Sequence, residues 1–474
     1  MKTSRFVLLF VCAILAMSAP LSGQTPGATG SRAEEIRELR QELASINARL
    51  TKLENEDATV SPDTSAPDES AAALSSASAN LSAAKPQAAP LQQVLSPADR
   101  STLDFFNGTT INLVLDGYYA YNFNNPIGRA NLLRAYDVTS NAFSLNQADL
   151  VVEHAPDPAN GKRFGARVDL QFGQATETLQ GNPANEPRPE IYRNIFQAYG
   201  TYIVPVGRGL TVDFGKWASS LGIEGNYTKD QMNYSRSYWF DYLPFYHAGI
   251  RATYAFTPAI SGHYWIVNGT QQTEPFNNFK DEMFGFEARP IRSIDWTMNY
   301  YLGQEHPDFE FVTNGPSNLP TLQGMPFEPI PNAPQGKTHI FDSYAIWTST
   351  PKLTFALEGD YVISRDQTYS APLRTDGGAF YARYQFNPLL ALAGRTEYLS
   401  DRGGLFSGKV QALKEFTLTF EQAVANGFLV REELRHDFSN QPFFLTDTLG
   451  NLSNDQTTAT IGLVWWFGGK QGVW

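Results

Sequence analysis

The chain has 474 residues, 42% of them hydrophobic and 13% aromatic, and a formal net charge of −12. That acidic balance excludes a nucleic-acid partner, which requires a basic surface. Beyond the leading run Phe6 to Met17, no apolar stretch reaches the roughly 18 residues of a spanning helix, so a helical membrane protein is excluded too.

Lys2 and Arg5 precede that apolar run, and small residues with a proline follow it. Residues 1–23 therefore read as a secretory signal peptide, too short for a stop-transfer helix, with the cut expected near Gly23. The single cysteine, Cys12, lies inside the leader without a lipobox before it, which leaves the rest of the chain no disulfide and no thiol chemistry.

In residues 33–55, Ile36, Leu39, Leu43, Ile46, Leu50 and Leu53 alternate three- and four-residue spacings, with Glu, Arg, Gln, Lys and Asn between them. The seam predicts a coiled-coil oligomerisation helix of about three heptads. A single amphipathic helix lying on another surface is the plainer alternative. Residues 56–103 are rich in Ala, Ser and Pro without periodicity and predict a disordered, flexible linker.

Residues 104–474 form the main domain. In Arg163 to Phe172, Phe164, Ala166, Val168, Leu170 and Phe172 share one face of a strand, and Arg163, Gly165, Arg167, Asp169 and Gln171 share the other. Leu413 to Glu421 repeats the pattern, with Phe416, Leu418 and Phe420 against Glu415, Thr417, Thr419 and Glu421. A soluble antiparallel sheet also alternates in this way. Strand length, repetition and the sorting of connections separate the two readings.

Strands are expected near 110–123, 143–154, 163–172, 193–204, 209–216, 246–256, 260–269, 282–290, 294–303, 338–348, 352–364, 378–386, 389–399, 413–422, 427–438 and 457–467. Short turns such as Pro205 to Arg208, Thr350-Pro351 and Asn387-Pro388 alternate with long loops such as 217–245 and 304–337. The fold class is all-β: a transmembrane antiparallel β-barrel of about 16 strands, with short periplasmic turns and longer external loops. An even count with a long first loop places both chain ends in the periplasm. Two positions break the pattern: Glu432 shares a face with Phe428, Val430 and Leu434, and Phe341 with Asp342 leaves the phase of 338–348 open. The last strand is aromatic, ending in Trp465, Trp466 and Phe467, and resembles a barrel insertion signal followed by seven further residues.

Asn146 to Leu150, Gly165 to Gly173, Gln197 to Tyr199, Phe214 to Trp217 running into Gly222 to Glu224, and Asn233 to Ser235 followed by Pro244 and His247 to Gly249 together resemble the outer-membrane β-barrel porins of the OmpL-like group. The resemblance covers roughly 105–474 and leaves the coiled coil outside. It implies a porin barrel in outer-membrane lipid and carries no catalytic or ligand residues. Ile and Leu are mixed in the heptad seam, which leaves its strand number open; a homotrimer suits a porin, with the coil in the periplasm as a contact to the cell wall.

The expected function is a water-filled channel for passive diffusion of small hydrophilic solutes or ions, without energy coupling. Its pore-lining residues are Arg167, Asp169, Asp213, Arg251, Glu287, Arg289, Glu358, Asp360, Arg383, Arg395, Glu397, Glu415, Arg431, Glu433 and Arg435, because unpaired charges in a dry core would be very costly. Barrels of this size leave an aqueous channel, whose selectivity is set at its narrowest point. The long, aromatic, mixed-charge loop 217–245 is the constriction candidate, through Glu224, Lys229, Asp230, Arg236 and Asp241; packing outside the mouth is its alternative. The acidic excess predicts weak cation preference.

The six histidines are scattered, no Gly-x-Ser-x-Gly elbow occurs, and no His or Cys spacing suggests a metal. No enzyme, cofactor or metal is expected. The rival readings are an envelope tether using the barrel as an anchor, and a barrel-borne hydrolase. An actively coupled receptor would need a folded plug domain ahead of the barrel, where this chain has a coil and a linker.

Overall fold

The computed structural model describes residue 106 and residues 108–180, 186–312, 318–319, 321–322, 325–470 and 474. The expected signal peptide, coiled coil and linker lie outside these residues.

Strands β1 (Thr109–Asn122), β2 (Ala142–His154), β3 (Phe164–Phe172), β4 (Ile195–Val204) and β5 (Leu210–Ala218) run in antiparallel succession. They continue into β6 (Tyr246–Thr257), β7 (Ile260–Val267), β8 (Asp281–Ile291) and β9 (Ile294–Gly303). The next loop carries three short strands, β10 (Phe309–Phe311), β11 (Thr321–Leu322) and β12 (Met325–Pro329), which form their own small sheet. The wall resumes with β13 (Thr338–Thr350), β14 (Leu353–Ser364), β15 (Leu373–Asn387), β16 (Leu390–Asp401), β17 (Gln411–Ala425) and β18 (Phe428–Ser439). After a loop hairpin, β19 (Phe444–Leu445) with β20 (Leu452–Ser453), the last strand β21 (Asp455–Gly468) pairs with both β18 and β1. Leu113 lies opposite Phe467, and sixteen strands close into a barrel without a free edge. Closure leaves the wall without an unpaired sheet edge, which a lipid environment demands.

The two-residue period sorts the faces. On β17, Leu413, Glu415, Thr417, Thr419 and Glu421 point inward and are buried, while Lys414, Phe416 and Leu418 point outward and are exposed. Outward aromatics pair across strands: Phe428 stacks on Trp465 with centroids 4.7 Å apart, and Tyr300 meets Phe341 at 4.8 Å. Such rings suit a belt that is apolar on one side and wet at its rims.

Both irregular positions find a physical resolution. On β13, Asp342 faces inward and Phe341 outward, consistent with Asp342 pairing opposite Asp360 and Phe341 opposite Tyr361. Glu432 does lie on the outer face, flanked by Phe420 and Ile461, where the Gln422 side-chain amide donates to it at 2.9 Å. The short turns are tight. Gly427 has φ +78°, and a Cβ there would come 2.2 Å from the Trp466 carbonyl, so the β17–β18 turn accepts no side chain.

Candidate functional site

The loop joining β5 to β6, residues 219–245, enters the barrel and crosses it. Its descending limb lies on β9, β13 and β14. The Ser220 carbonyl accepts from Asn299 Nδ2 at 2.8 Å, Gly222 N–H donates to Asp342 at 3.1 Å, and Ile223 N–H donates to Glu358 at 3.1 Å. Glu224 then meets Arg395 of β16 at 2.9 Å.

The middle of the loop reaches the opposite wall. The Tyr227 hydroxyl donates to Asp169 at 2.5 Å, and the Thr228 and Tyr234 hydroxyls converge on Asp116 of β1 at 2.7 and 2.8 Å. Arg431 of β18 donates to the carbonyls of Thr228 and Gln231, each at 2.6 Å. Glu433 accepts from the N–H groups of Tyr234 and Ser235 at 2.7 and 3.0 Å. A helical turn, Tyr238–Tyr242, is capped by Ser237 Oγ, which accepts from Phe240 N–H at 2.9 Å. Tyr238 N–H donates to Glu397, and its hydroxyl donates to Asp437. An irregular segment can be buried only when its backbone groups find partners. Here wall carboxylates take its N–H groups and wall arginines take its carbonyls.

Other loops add to this filling. Arg134 of the first long loop pairs with Asp137 at 3.1 Å and with Asp437 at 2.5 Å, all three side chains sealed from solvent. Trp239 and Leu243 pack with Trp217, Trp265, Met283 and Tyr301 in one apolar cluster across the half of the lumen nearer the long loops. At the short-turn end, Trp474 lies against Tyr227, and its N–H donates to Asp230 at 3.2 Å.

The expected pore residues thus take inward positions, but most are covered. Arg167 forks onto Asp169 at 2.8 and 2.9 Å. Arg395 pairs with Glu397 and Glu415 as well as Glu224. Arg435 pairs with Asp437 and Glu415, and Arg431 with Glu421. Glu358, Asp360 and Glu433 are buried with them, as is Asp213 beneath Arg251. Among the described residues, an open, charge-lined lumen is found toward the short turns, where Glu287 and Arg289 are exposed and Arg289 pairs with Asp295 at 2.5 Å. A cavity of about 330 Å³ opens there, and another of about 580 Å³ adjoins it near Arg163 and Arg208. Arg251 and Arg383 are partly covered, Arg383 against Glu421 at 2.6 Å. The physical reason is that inserted loop atoms, and not water, satisfy the buried charges.

Within the loop, Lys229 pairs with Asp230 at 2.7 Å, and burial pulls the Lys229 ammonium below its ordinary range against the pull of Asp230. Arg236 is fully buried, donating to the carbonyls of Gly225, Asn226 and Tyr234 with its guanidinium over Tyr136. Burial pushes Asp241 up to about 6, partly offset by Arg435 and Arg134. Sequence reasoning passed over Asp116, Arg134 and Asp437. Asp116 carried the only available signal, an acidic residue on an otherwise mixed inward face of β1.

His247 lies with Nε2 3.1 Å from Ser219 Oγ, but it is fully buried, and its Nδ1 is 3.2 Å from the Gly269 carbonyl, with no described carboxylate bonded to the ring.

A model of the family "Putative beta-barrel porin-2, OmpL-like" matches residues 108–467. A search of curated proteins returns no match. Among solved structures, the chain is similar to an anion-selective porin from Comamonas acidovorans, with 8% identity, TM-score 0.48, and 76% of this chain and 99% of that one covered. It is similar to the outer membrane channel DcaP of Acinetobacter baumannii, with 10% identity, TM-score 0.47, and coverage of 76% and 98%. It is also similar to OprB of Pseudomonas putida, with 13% identity, TM-score 0.46, and coverage of 78% and 96%.

Proposed function

This chain belongs to the OmpL-like β-barrel porin family, and we propose that the loop 219–245 is the constriction of its channel. The protein is an outer-membrane channel for passive diffusion: solute crosses down its gradient. The observation that carries the finer reading is the loop's path, anchored on β13 and β14 at one side and on β16, β18 and β1 at the other. A segment fixed at both walls narrows the lumen, and only small hydrophilic solutes or ions pass. The charges lining the open cavities, among them Glu287, Asp295, Arg163, Arg208 and Arg289, are mixed in sign, and the weak cation preference rests on the chain's acidic excess. No catalytic step is assigned, and a phospholipase assay in detergent is expected to be blank.

The heptad seam of residues 33–55 supports an oligomer, for which a homotrimer suits a porin, with the coil in the periplasm, where it also offers a contact to the cell wall. Liposome swelling with neutral sugars of increasing size tests the constriction. Swelling should stop at small sugars for the native chain and extend to larger ones when residues 222–242 are replaced by a short Gly/Ser bridge. An unchanged size limit would remove the loop from this role.

A further inference from the structure

On the inward face of β13 and β14, Asp342 lies directly opposite Asp360 in the antiparallel register, and Glu358 is the next inward residue along β14. Like charges directly opposed on one sheet face are destabilising. Oxygens of all three carboxylates nevertheless lie within 4.8 Å of one another, and all three side chains are buried. No described lysine or arginine forms an ion pair with any of them; the guanidinium of Arg395 is engaged by Glu224, Glu397 and Glu415.

A second, separate observation concerns Asp360. It is 5% exposed, and neither of its carboxylate oxygens has a hydrogen-bond donor. Its neighbours are held differently. Asp342 accepts from Gly222 N–H and from Asn299 Nδ2, and Glu358 accepts from Ile223 N–H. Gly222 has φ +82°, and a Cβ there would sit 3.1 Å from Glu358 Oε1. The loop thus brings its backbone against the carboxylates through a residue that only glycine fills easily. Two members of the cluster are oriented by donors, and the third points bare oxygens among them. A buried carboxylate without a partner is costly to keep ionised unless a cation completes it.

We propose that Asp342, Glu358 and Asp360 form a binding site for a hard divalent cation, with calcium the best fit. All the donors are oxygens, which excludes the soft metals that prefer sulfur and imidazole. Calcium binds oxygens at about 2.3–2.6 Å in irregular shells, so donors on opposite sides of the ion lie roughly 4.6–5.2 Å apart. The three carboxylates each bring an oxygen within 4.8 Å of the others, close enough to share one such ion. Magnesium requires shorter, near-octahedral contacts and retains several waters. An ion here joins β13 and β14 and, through the same two carboxylates that hold Gly222 and Ile223, stiffens the descending limb of the inserted loop. Binding itself does not depend on the loop being a constriction, because it is read without a pore.

The test uses the full chain in detergent, stripped with EDTA and titrated with calcium by calorimetry, with terbium luminescence sensitised by nearby tyrosines as a second readout. One calcium per chain should bind saturably, displace terbium and raise the thermal midpoint by several degrees. Asp360→Asn should weaken binding at least tenfold while leaving the β-sheet circular dichroism intact. Glu358→Gln provides the same comparison if Asp360→Asn does not fold. Absence of stoichiometric calcium binding to the native chain would overturn the site, as would binding unchanged in the variants. A native chain indifferent to calcium, with Asp360→Asn more stable than native, would show instead that the two aspartates share a proton.

Discussion

Arg395 of β16 and Glu224 of the inserted loop meet at 2.9 Å with their side chains 0% and 5% exposed. The same guanidinium holds two wall carboxylates, Glu397 and Glu415, and donates to the Ser235 carbonyl at 2.8 Å. One arginine therefore balances three acids and fastens two points of the loop to the wall. Removing one partner of a buried pair leaves a charge uncompensated, at about 3–5 kcal/mol.

The consequences are asymmetric. Glu224→Gln leaves Arg395 two carboxylates and should cost only about 1 kcal/mol, the size of an ordinary hydrogen bond. Arg395→Met leaves Glu224 and Glu397 without their arginine and Glu415 with Arg435 alone, and should cost about 3–5 kcal/mol. Urea unfolding in lipid vesicles measures both. Equal losses would mean that Arg395 is not the hub.

Arg134 and Asp437 form the equivalent clamp for the first long loop. Asp437 retains Arg435 at 2.9 Å when Arg134 is lost. Arg134→Ala should therefore release the loop without unfolding the barrel. Hydrogen exchange should rise across residues 123–141 and stay unchanged in β17 and β18. Uniform acceleration throughout the wall would contradict this assignment.

Asp241 makes stability depend on pH. Burial raises its carboxyl from 3.8 to about 6, so the folded chain binds that proton more tightly than the unfolded chain does. Its contribution is complete below about pH 4 and is lost as pH rises through about 6. The difference in thermal midpoint between Asp241→Asn and the native chain should grow between pH 4 and 6.5 in favour of the variant and then level off. A difference independent of pH would show that Asp241 is not raised.

Gln422 donates to one oxygen of Glu432 on the outer wall, and the other oxygen of that carboxylate is buried without a partner. Glu432→Leu alone leaves Gln422 without its acceptor, whereas the double replacement by leucine presents lipid with an apolar surface. In vesicle unfolding, the double variant should be more stable than the single one. The reverse order would show that this face meets a polar partner and not lipid.

The wall was largely readable in the sequence because a two-residue period writes each strand's two faces directly, as in Phe164 to Phe172 and Leu413 to Glu421. Sorting of long and short connections supplied the rest of the barrel. The phase of β13 was not readable from its own residues; it became fixed only through pairing, with Asp342 opposite Asp360. The short strands of the loop 304–337 were missed because two- to five-residue strands are too short to show a period. The loop charges could be named, but not their partners: Glu224 is 171 residues from Arg395, and Tyr234 is 118 from Asp116. No local pattern encodes such contacts. The same limit explains why inward charges suggested open water when loop atoms cover most of them.

The measurement that bears most directly on a loop-narrowed passive channel is single-channel conductance of the full-length protein in planar bilayers under a potassium chloride gradient. The account predicts small, stepwise, ohmic openings with a weakly cation-selective reversal potential, and markedly larger steps when residues 222–242 are replaced by a short bridge. Equal step sizes in the two proteins, or inserted barrels that stay silent in both, would contradict it.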